Sequence, residues 1–312
     1  MITRRSAPPL LLATILAGWW LSAAPSASPA QAAAAQAKPA APAQAQEVAL
    51  PNRPDSFKFA VLGDFGTGDR PQYQLAEQME KLRARFPFEL VITVGDNIYG
   101  SERPQDMKKK FEDPYKPLLD AGVKFYASLG NHDDRAQARY KLFNMEGRTY
   151  YSFKAPKEDV RFFAIESDYP KPEQIAWLEK ELLNSGEAWK IPYFHHPLYS
   201  SGRTHGSHPE LREVLEPMFL KTGVTVVFTG HDHFYERIKP QHGITHFVAG
   251  SGGKLRRGNV NRSSPLTAKA FDTDQVFLGV EIDGDQLFFN AISRTGAIID
   301  SGVIERRKEP RP

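Results

Sequence analysis

The chain has 312 residues, 41 % of them apolar, and no cysteine. That is enough for one large core, and it excludes disulfide stapling and attachment through a lipidated cysteine. The formal charge of +3 gives no ground for binding nucleic acid or a membrane through the whole molecule.

Met1 to Arg5 is a short positive segment, and Leu10 to Leu21 is an apolar run too short to span a bilayer as a stable helix. Small residues follow, with Ala-x-Ala sites such as Ala30-Gln31-Ala32. Residues 1–32 therefore read as a secretory signal peptide, which implies a periplasmic or secreted protein with no integral membrane segment once the leader is gone. Losing Arg4 and Arg5 leaves 38 basic against 37 acidic residues. Residues 33–50, rich in Ala, Pro and Gln, bury too little apolar surface to order themselves and read as a disordered linker. The folded domain is expected over 51–306, followed by a charged, flexible tail at 307–312.

Within the domain, apolar runs alternate with segments of helical spacing. Phe57 to Leu62, Leu90 to Val94 and Val123 to Leu129 read as buried strands, each halting at a glycine. Leu75, Met79 and Leu82 give a helix over 73–85. Further strands are expected at 160–165, 191–194 and 224–228, with helices at 172–183 and 209–220. Residues 275–282 and 286–292 flank Asp283-Gly284-Asp285 and read as a hairpin, with one more strand over 295–304. The fold class is α/β: two packed, mixed β-sheets with helices outside and largely parallel pairing.

Five motifs stand at the ends of these strands: Gly63-Asp64-Phe65-Gly66, Gly95-Asp96-Asn97-Ile98-Tyr99, Gly130-Asn131-His132-Asp133, His195-His196-Pro197 and Gly230-His231-Asp232-His233. Any one could be an ordinary turn. Together they supply two Asp, a Tyr, an Asn and at least three His, a donor set suited to two metal ions about 3.5–4 Å apart. Strand ends are where α/β folds place ligand chemistry. In an extended segment His231 and His233 would share one face. His195 and His196 are adjacent, so their side chains diverge and only one faces the metals.

These motifs resemble the purple acid phosphatases, of the tartrate-resistant type, within the calcineurin-like metallophosphoesterases. The resemblance runs from about Phe59 to Gly253, and Tyr99 narrows it to the iron-binding subgroup. It implies that Asp64, Asp96, Tyr99 and His233 hold Fe(III), and that Asp96, Asn131, His195 and His231 hold a divalent ion (Fe, Zn or Mn), with Asp96 bridging. A hard phenolate and carboxylate suit the trivalent ion, and imidazoles with a neutral Asn suit the divalent one. It further implies catalytic roles for His132, beside the phosphate, and for His205, in the loop after the His195 strand. Asp133 falls where an acidic partner of His132 is usual. Arg203, Lys254, Arg256 and Arg257 lie in loops after site-bearing strands and could tune anion binding. The expected activity is hydrolysis of small phosphate monoesters by a metal-activated water, with no nucleic-acid scaffold. The alternatives are a phosphodiesterase or nucleotide hydrolase on the same metals, or a non-catalytic phosphate-binding surface protein.

Overall fold

The computed structural model describes residues 47–308. The leader, nearly all of the linker and the last four residues lie outside this range. Among the described residues, no helix is long and apolar enough to cross a membrane.

Two sheets carry the fold. The first has six strands in the order β13-β12-β11-β1-β2-β3. Its parallel part is β1 (Phe57–Leu62), β2 (Leu90–Val94) and β3 (Lys124–Ser128). Its antiparallel part is β11 (Val276–Asp283), β12 (Gln286–Ser293) and β13 (Ile298–Glu305). The second has seven strands in the order β10-β8-β9-β7-β6-β5-β4. There β5 (Val160–Ala164), β6 (Trp189–Tyr193), β7 (Val226–Thr229) and β9 (Thr245–Ala249) run parallel. The strands β4 (Tyr151–Lys154), β8 (Tyr235–Ile238) and β10 (Thr267–Phe271) pair antiparallel at the flanks.

The central strands read as unbroken apolar runs because both their faces are covered. All six β1 residues and all five of β2 are buried. Aromatic rings join the sheets: Phe59 of β1 meets Phe162 of β5 edge-on at 5.2 Å and Phe228 of β7 at 6.1 Å. Farther along, Phe247 of β9 meets Phe289 of β12 at 5.0 Å. On the outer faces lie α1 (Arg70–Arg85), α4 (Pro172–Asn184) and α5 (Pro209–Lys221). Each begins with proline in its first turn, where the missing N–H costs nothing. That proline is why α1 starts three residues before the apolar periodicity does.

One helical segment departs from the sequence expectation. The helix α2 (Pro104–Met107) passes through a π-turn at Lys108–Glu112 into α3 (Asp113–Asp120). Pro114 and Pro117 hide this helix in the sequence. Proline at 114 cannot bond the Lys110 carbonyl, and Gln72 Nε2 takes that carbonyl instead at 2.5 Å. The same turn aims Lys110 Nζ at the carbonyls of Tyr99 and Ser101, both at 2.7 Å. The π-turn thus pins the loop that carries Tyr99, and such turns recur at functional sites. The chain ends flanking the domain are also tied. Val48 N–H donates to Ser301 Oγ at 2.8 Å, and Arg307 donates to Thr225 Oγ1 and to the Val224 carbonyl.

Phe162→Ala should remove the aromatic bridge between the sheets. Phe162 is fully buried against Phe57, Phe59, Phe153 and Tyr193. A loss of about 3–5 kcal/mol in urea unfolding is expected; a loss under about 1 kcal/mol would mean the sheets do not depend on it.

Candidate metal centre

The C-terminal ends of the parallel strands of both sheets meet, and the five motifs meet with them. Asp64 and Asp96 each lie two residues past a strand end and are fully or almost fully buried. Asp64 (φ 54°), Asp96 (φ 50°) and His231 (φ 69°) all hold left-handed backbone. Such conformations cost of order 1–3 kcal/mol each and cluster at functional sites. Glycine makes the closeness tolerable. A Cβ on Gly130 would sit 2.3 Å from Asp96 Oδ1, and one on Gly95 would sit 2.6 Å from His195 Nδ1.

The donor atoms converge in two groups. In the first, Tyr99 Oη lies 3.1 Å from both Asp64 Oδ1 and His233 Nε2, and His233 Nε2 lies 3.5 Å from Asp64 Oδ1. In the second, His195 Nε2 lies 3.1 Å from Asn131 Oδ1, 3.1 Å from His231 Nδ1 and 3.4 Å from Asp96 Oδ1. One atom from each of Asp64, Asp96 and His195 falls within 4.8 Å of the others, so the groups adjoin at Asp96.

This packing fits cations better than hydrogen bonds. His195 Nδ1 lies 3.0 Å from the Val94 carbonyl, which can only accept, so that nitrogen carries the proton. Burial holds the ring's pKa well below its usual value, so it is neutral. Its Nε2 then bears a lone pair, yet it faces the oxygens of Asn131 and Asp96. Lone pairs converging at this range repel unless a cation sits among them. The carbonyl partner of His195 is the outer support that fixes a ligating imidazole. Burial also drives the pKa of His231 down and that of His233 to about 4, helped at His233 by Arg256. Both therefore offer lone pairs at neutral pH. Burial and the Asp96 charge push Asp64 well above the usual carboxyl range, and burial with both Asp charges pushes Tyr99 far up. A bound cation reverses those signs.

The structure brings all seven sequence-read ligands together: Asp64, Asp96, Tyr99, Asn131, His195, His231 and His233. It reaches His231 and His233 by another route than expected. Residues 230–234 form a tight turn, with Asp232 N–H on the Gly230 carbonyl at 2.8 Å, and the left-handed His231 sends its ring to the second group while His233 goes to the first. An extended strand would have sent both the same way.

His132 is exposed at the rim, with its ring centroid 5.0 Å from that of Tyr99 and its N–H on Asp96 Oδ1 at 3.0 Å. Asp133 is not its partner. The Asp133 carboxylate turns inward and takes the N–H groups of Asn97, Ile98 and Gly130 and the Gln137 amide. Burial and the Asp96 charge raise its pKa to about 7. His205, also exposed, lies with its ring centroid 4.1 Å from that of His231, the two rings tilted by 44°. Lys254 Nζ lies 4.6 Å over the Tyr99 ring, while Arg203 and Arg257 are exposed.

Two residues escaped the sequence reading. Asp232 is buried and binds Ser200 Oγ at 2.6 Å, the Gly206 N–H at 3.1 Å and Asn259 Nδ2 at 3.3 Å, which anchors the loop carrying His205. Its place between two ligands was the available signal. The other is Ser167, whose Oγ lies 3.0 Å from Nδ1 of His196; no spacing rule marks it.

Residues 57–235 match the family model described as calcineurin-like phosphoesterase. The chain is 29 % identical to purple acid phosphatase 4 of Arabidopsis thaliana over 277 residues, covering 76 % of this chain and 80 % of that one. It is 24 % identical to human tartrate-resistant acid phosphatase type 5 over 316 residues, covering 85 % and 97 % respectively. Among solved structures, purple acid phosphatase PPD1 from yellow lupin superposes with a TM-score of 0.68 at 20 % identity, over 82 % of this chain and 55 % of that chain.

The shared position of Asp96 makes a metal-counting prediction. Asp96→Ala should lose both ions, whereas Asn131→Ala should lose chiefly the one held by His195 and His231. Metal per chain by elemental analysis is the check; an Asp96→Ala protein that keeps two ions would refute the sharing. With fold, donor groups and sequence match in agreement, the chain belongs to the calcineurin-like phosphoesterase family, and its curated relatives are purple acid phosphatases.

Proposed function

We propose that this protein is an exported, dinuclear-metal hydrolase of small phosphate monoesters. The observation that carries the reading is the convergence of a phenol, a carboxylate and an imidazole in one group, and of an amide oxygen and two imidazoles in the other, with Asp96 between. Asp64, Tyr99, His233 and Asp96 would hold Fe(III), and Asp96, Asn131, His195 and His231 would hold Fe(II), Zn(II) or Mn(II). Bound there, the pair supplies Lewis acidity and a water acidified toward neutral pH.

The remaining work falls to the chain's own side chains. The depressed pKa values of His195, His231 and His233 keep these rings neutral, with one nitrogen of each bare, so these ligands need no deprotonation at neutral pH. His132, exposed at the rim, is placed to hold the phosphoryl group and to pass a proton to the departing oxygen. His205, on the loop that Asp232 anchors, lies beside His231, with the two ring centroids 4.1 Å apart. The leader read at residues 1–32 supports export.

Loaded protein should hydrolyse p-nitrophenyl phosphate at least about ten-fold faster, in kcat/KM, than bis(p-nitrophenyl) phosphate, and chelation should abolish both. The reverse preference would favour a diesterase. No turnover with both ions bound would favour a phosphate-binding protein.

Tyr99 sets the colour. A phenolate on Fe(III) absorbs visible light by charge transfer, so protein made with iron should be purple or pink. Tyr99→Phe keeps the ring and loses only the hydroxyl, and it should be pale with its iron retained by Asp64, Asp96 and His233. Colourless wild type with full iron occupancy would remove Tyr99 from the ligand set.

A further inference from the structure

The loop that follows β9 lies directly on the first donor group. Gly252 donates its N–H to the Gly63 carbonyl at 2.9 Å. Gly253 and Lys254 donate to the Asp64 carbonyl at 3.0 and 2.9 Å, and Arg256 donates to the His233 carbonyl at 2.9 Å. Glycine permits this approach: a Cβ on Gly253 would sit 2.0 Å from the Phe65 carbonyl oxygen. The backbone around residue 254 is therefore fixed to two of the residues that would hold Fe(III), and these bonds do not depend on the side chain that stands there.

That fixed backbone delivers one charge to the site. Lys254 Nζ lies over the face of the Tyr99 ring, 4.6 Å from its centroid, within the range at which a ring's electrons attract an ammonium. Among the described residues, the Lys254 ammonium makes no hydrogen bond or ion pair that would draw it elsewhere. Tyr99 is equally fixed. Its N–H donates to the Gly66 carbonyl at 3.0 Å, and its carbonyl accepts Lys110 Nζ at 2.7 Å. Its Oη points at Asp64 Oδ1 and His233 Nε2, both at 3.1 Å. An ion held by those three residues would stand beyond Oη, so the ammonium over the ring is nearer to the phenol's electrons than to the ion.

A positive charge placed in that way stabilises electrons on the ring more than it stabilises an electron on the ion. We propose that Lys254 is a positioning residue of the metal centre: its ammonium, held on the face of the Tyr99 ring, holds the phenolate's electron density back from Fe(III) and leaves that ion the stronger Lewis acid. This rests on the reading above in which Tyr99 is a ligand of Fe(III). The chemistry so favoured is the acidification of water that the pair supplies. A lysine that served only to bind the substrate's phosphate would act when phosphate is present. A charge over the ring acts on the phenolate with the site free of substrate, and the two roles separate on that point.

The test is the visible absorption of iron- and zinc-loaded protein in phosphate-free buffer, with both metals counted on the same samples. Tyr99→Phe identifies the band that belongs to the phenolate. Lys254→Met keeps the length of the side chain and removes its charge. It should move that band to longer wavelength by on the order of 10 nm, the size of one unit charge acting at this range through an effective dielectric of about 20. Lys254→Arg keeps the charge and should hold the band close to its wild-type position. A band that stays in place or moves to shorter wavelength in Lys254→Met overturns the proposal. So does an equal shift in Lys254→Met and Lys254→Arg, because packing and not charge would then set the band. If Lys254→Met fails to load iron, Lys254→Gln is read by the same criteria. A colourless wild type with iron bound would overturn this proposal together with the Tyr99 assignment, whereas a coloured wild type whose band ignores the charge at 254 overturns this proposal alone.

Discussion

Two carboxylates buried at one seam, with neutral His195 and His233 against them and neutral His231 against His195, form an arrangement that a protein does not adopt for its own stability. Burying Asp64 beside Asp96 pushes the Asp64 carboxyl well above its usual range, and uncompensated buried charge is among the costliest features a fold can carry. Left-handed backbone at Asp64, Asp96 and His231 adds to that cost. The other features of the site follow from this constraint: the glycines that let groups approach, the inward-turned Asp133 and the carbonyl that orients His195 all hold donor atoms where their mutual repulsion would part them. Cations relieve the repulsion, so metal binding should contribute directly to stability.

The scaffold bears the strain through its core. Of the strands that end at the site, β1, β2, β6 and β7 are buried along their whole length, and aromatic rings from β1, β5, β7, β9 and β12 join the two sheets behind it. Loops on such strands cannot relax independently. Neighbouring side chains then tie loop to loop: Asp133 binds 97, 98 and 130, and Asp232 binds 200, 206 and 259. Asp133 thereby ties together the loops that carry Asp96, Tyr99 and Asn131, and Asp232 anchors the loop that carries His205.

Much of this was legible in the sequence, for a physical reason. Parallel strands buried on both faces read as unbroken apolar runs, as at Phe57–Leu62 and Leu90–Val94, and their glycine-led ends marked the donor residues. What the sequence hid depends on contacts between distant segments. The helix after residue 103 was masked by Pro114, whose lost hydrogen bond is made good by Gln72 from another helix. The direction of Asp133 depends on the amides of the β2 loop, and local spacing carries no trace of it. The separate destinations of His231 and His233 come from one left-handed residue, which an alternation rule cannot anticipate. The contact that holds His196 depends on Ser167, which lies 29 residues earlier.

The central claim is that two cations share Asp96. Anomalous scattering from crystals of iron- and zinc-loaded protein, recorded on either side of each absorption edge, addresses it most directly. The account requires two peaks about 3.5–4 Å apart, one beside Tyr99 and His233, the other beside Asn131, His195 and His231, with the Asp96 carboxylate between them. A single peak at full loading, or a second peak away from Asp96, would contradict it.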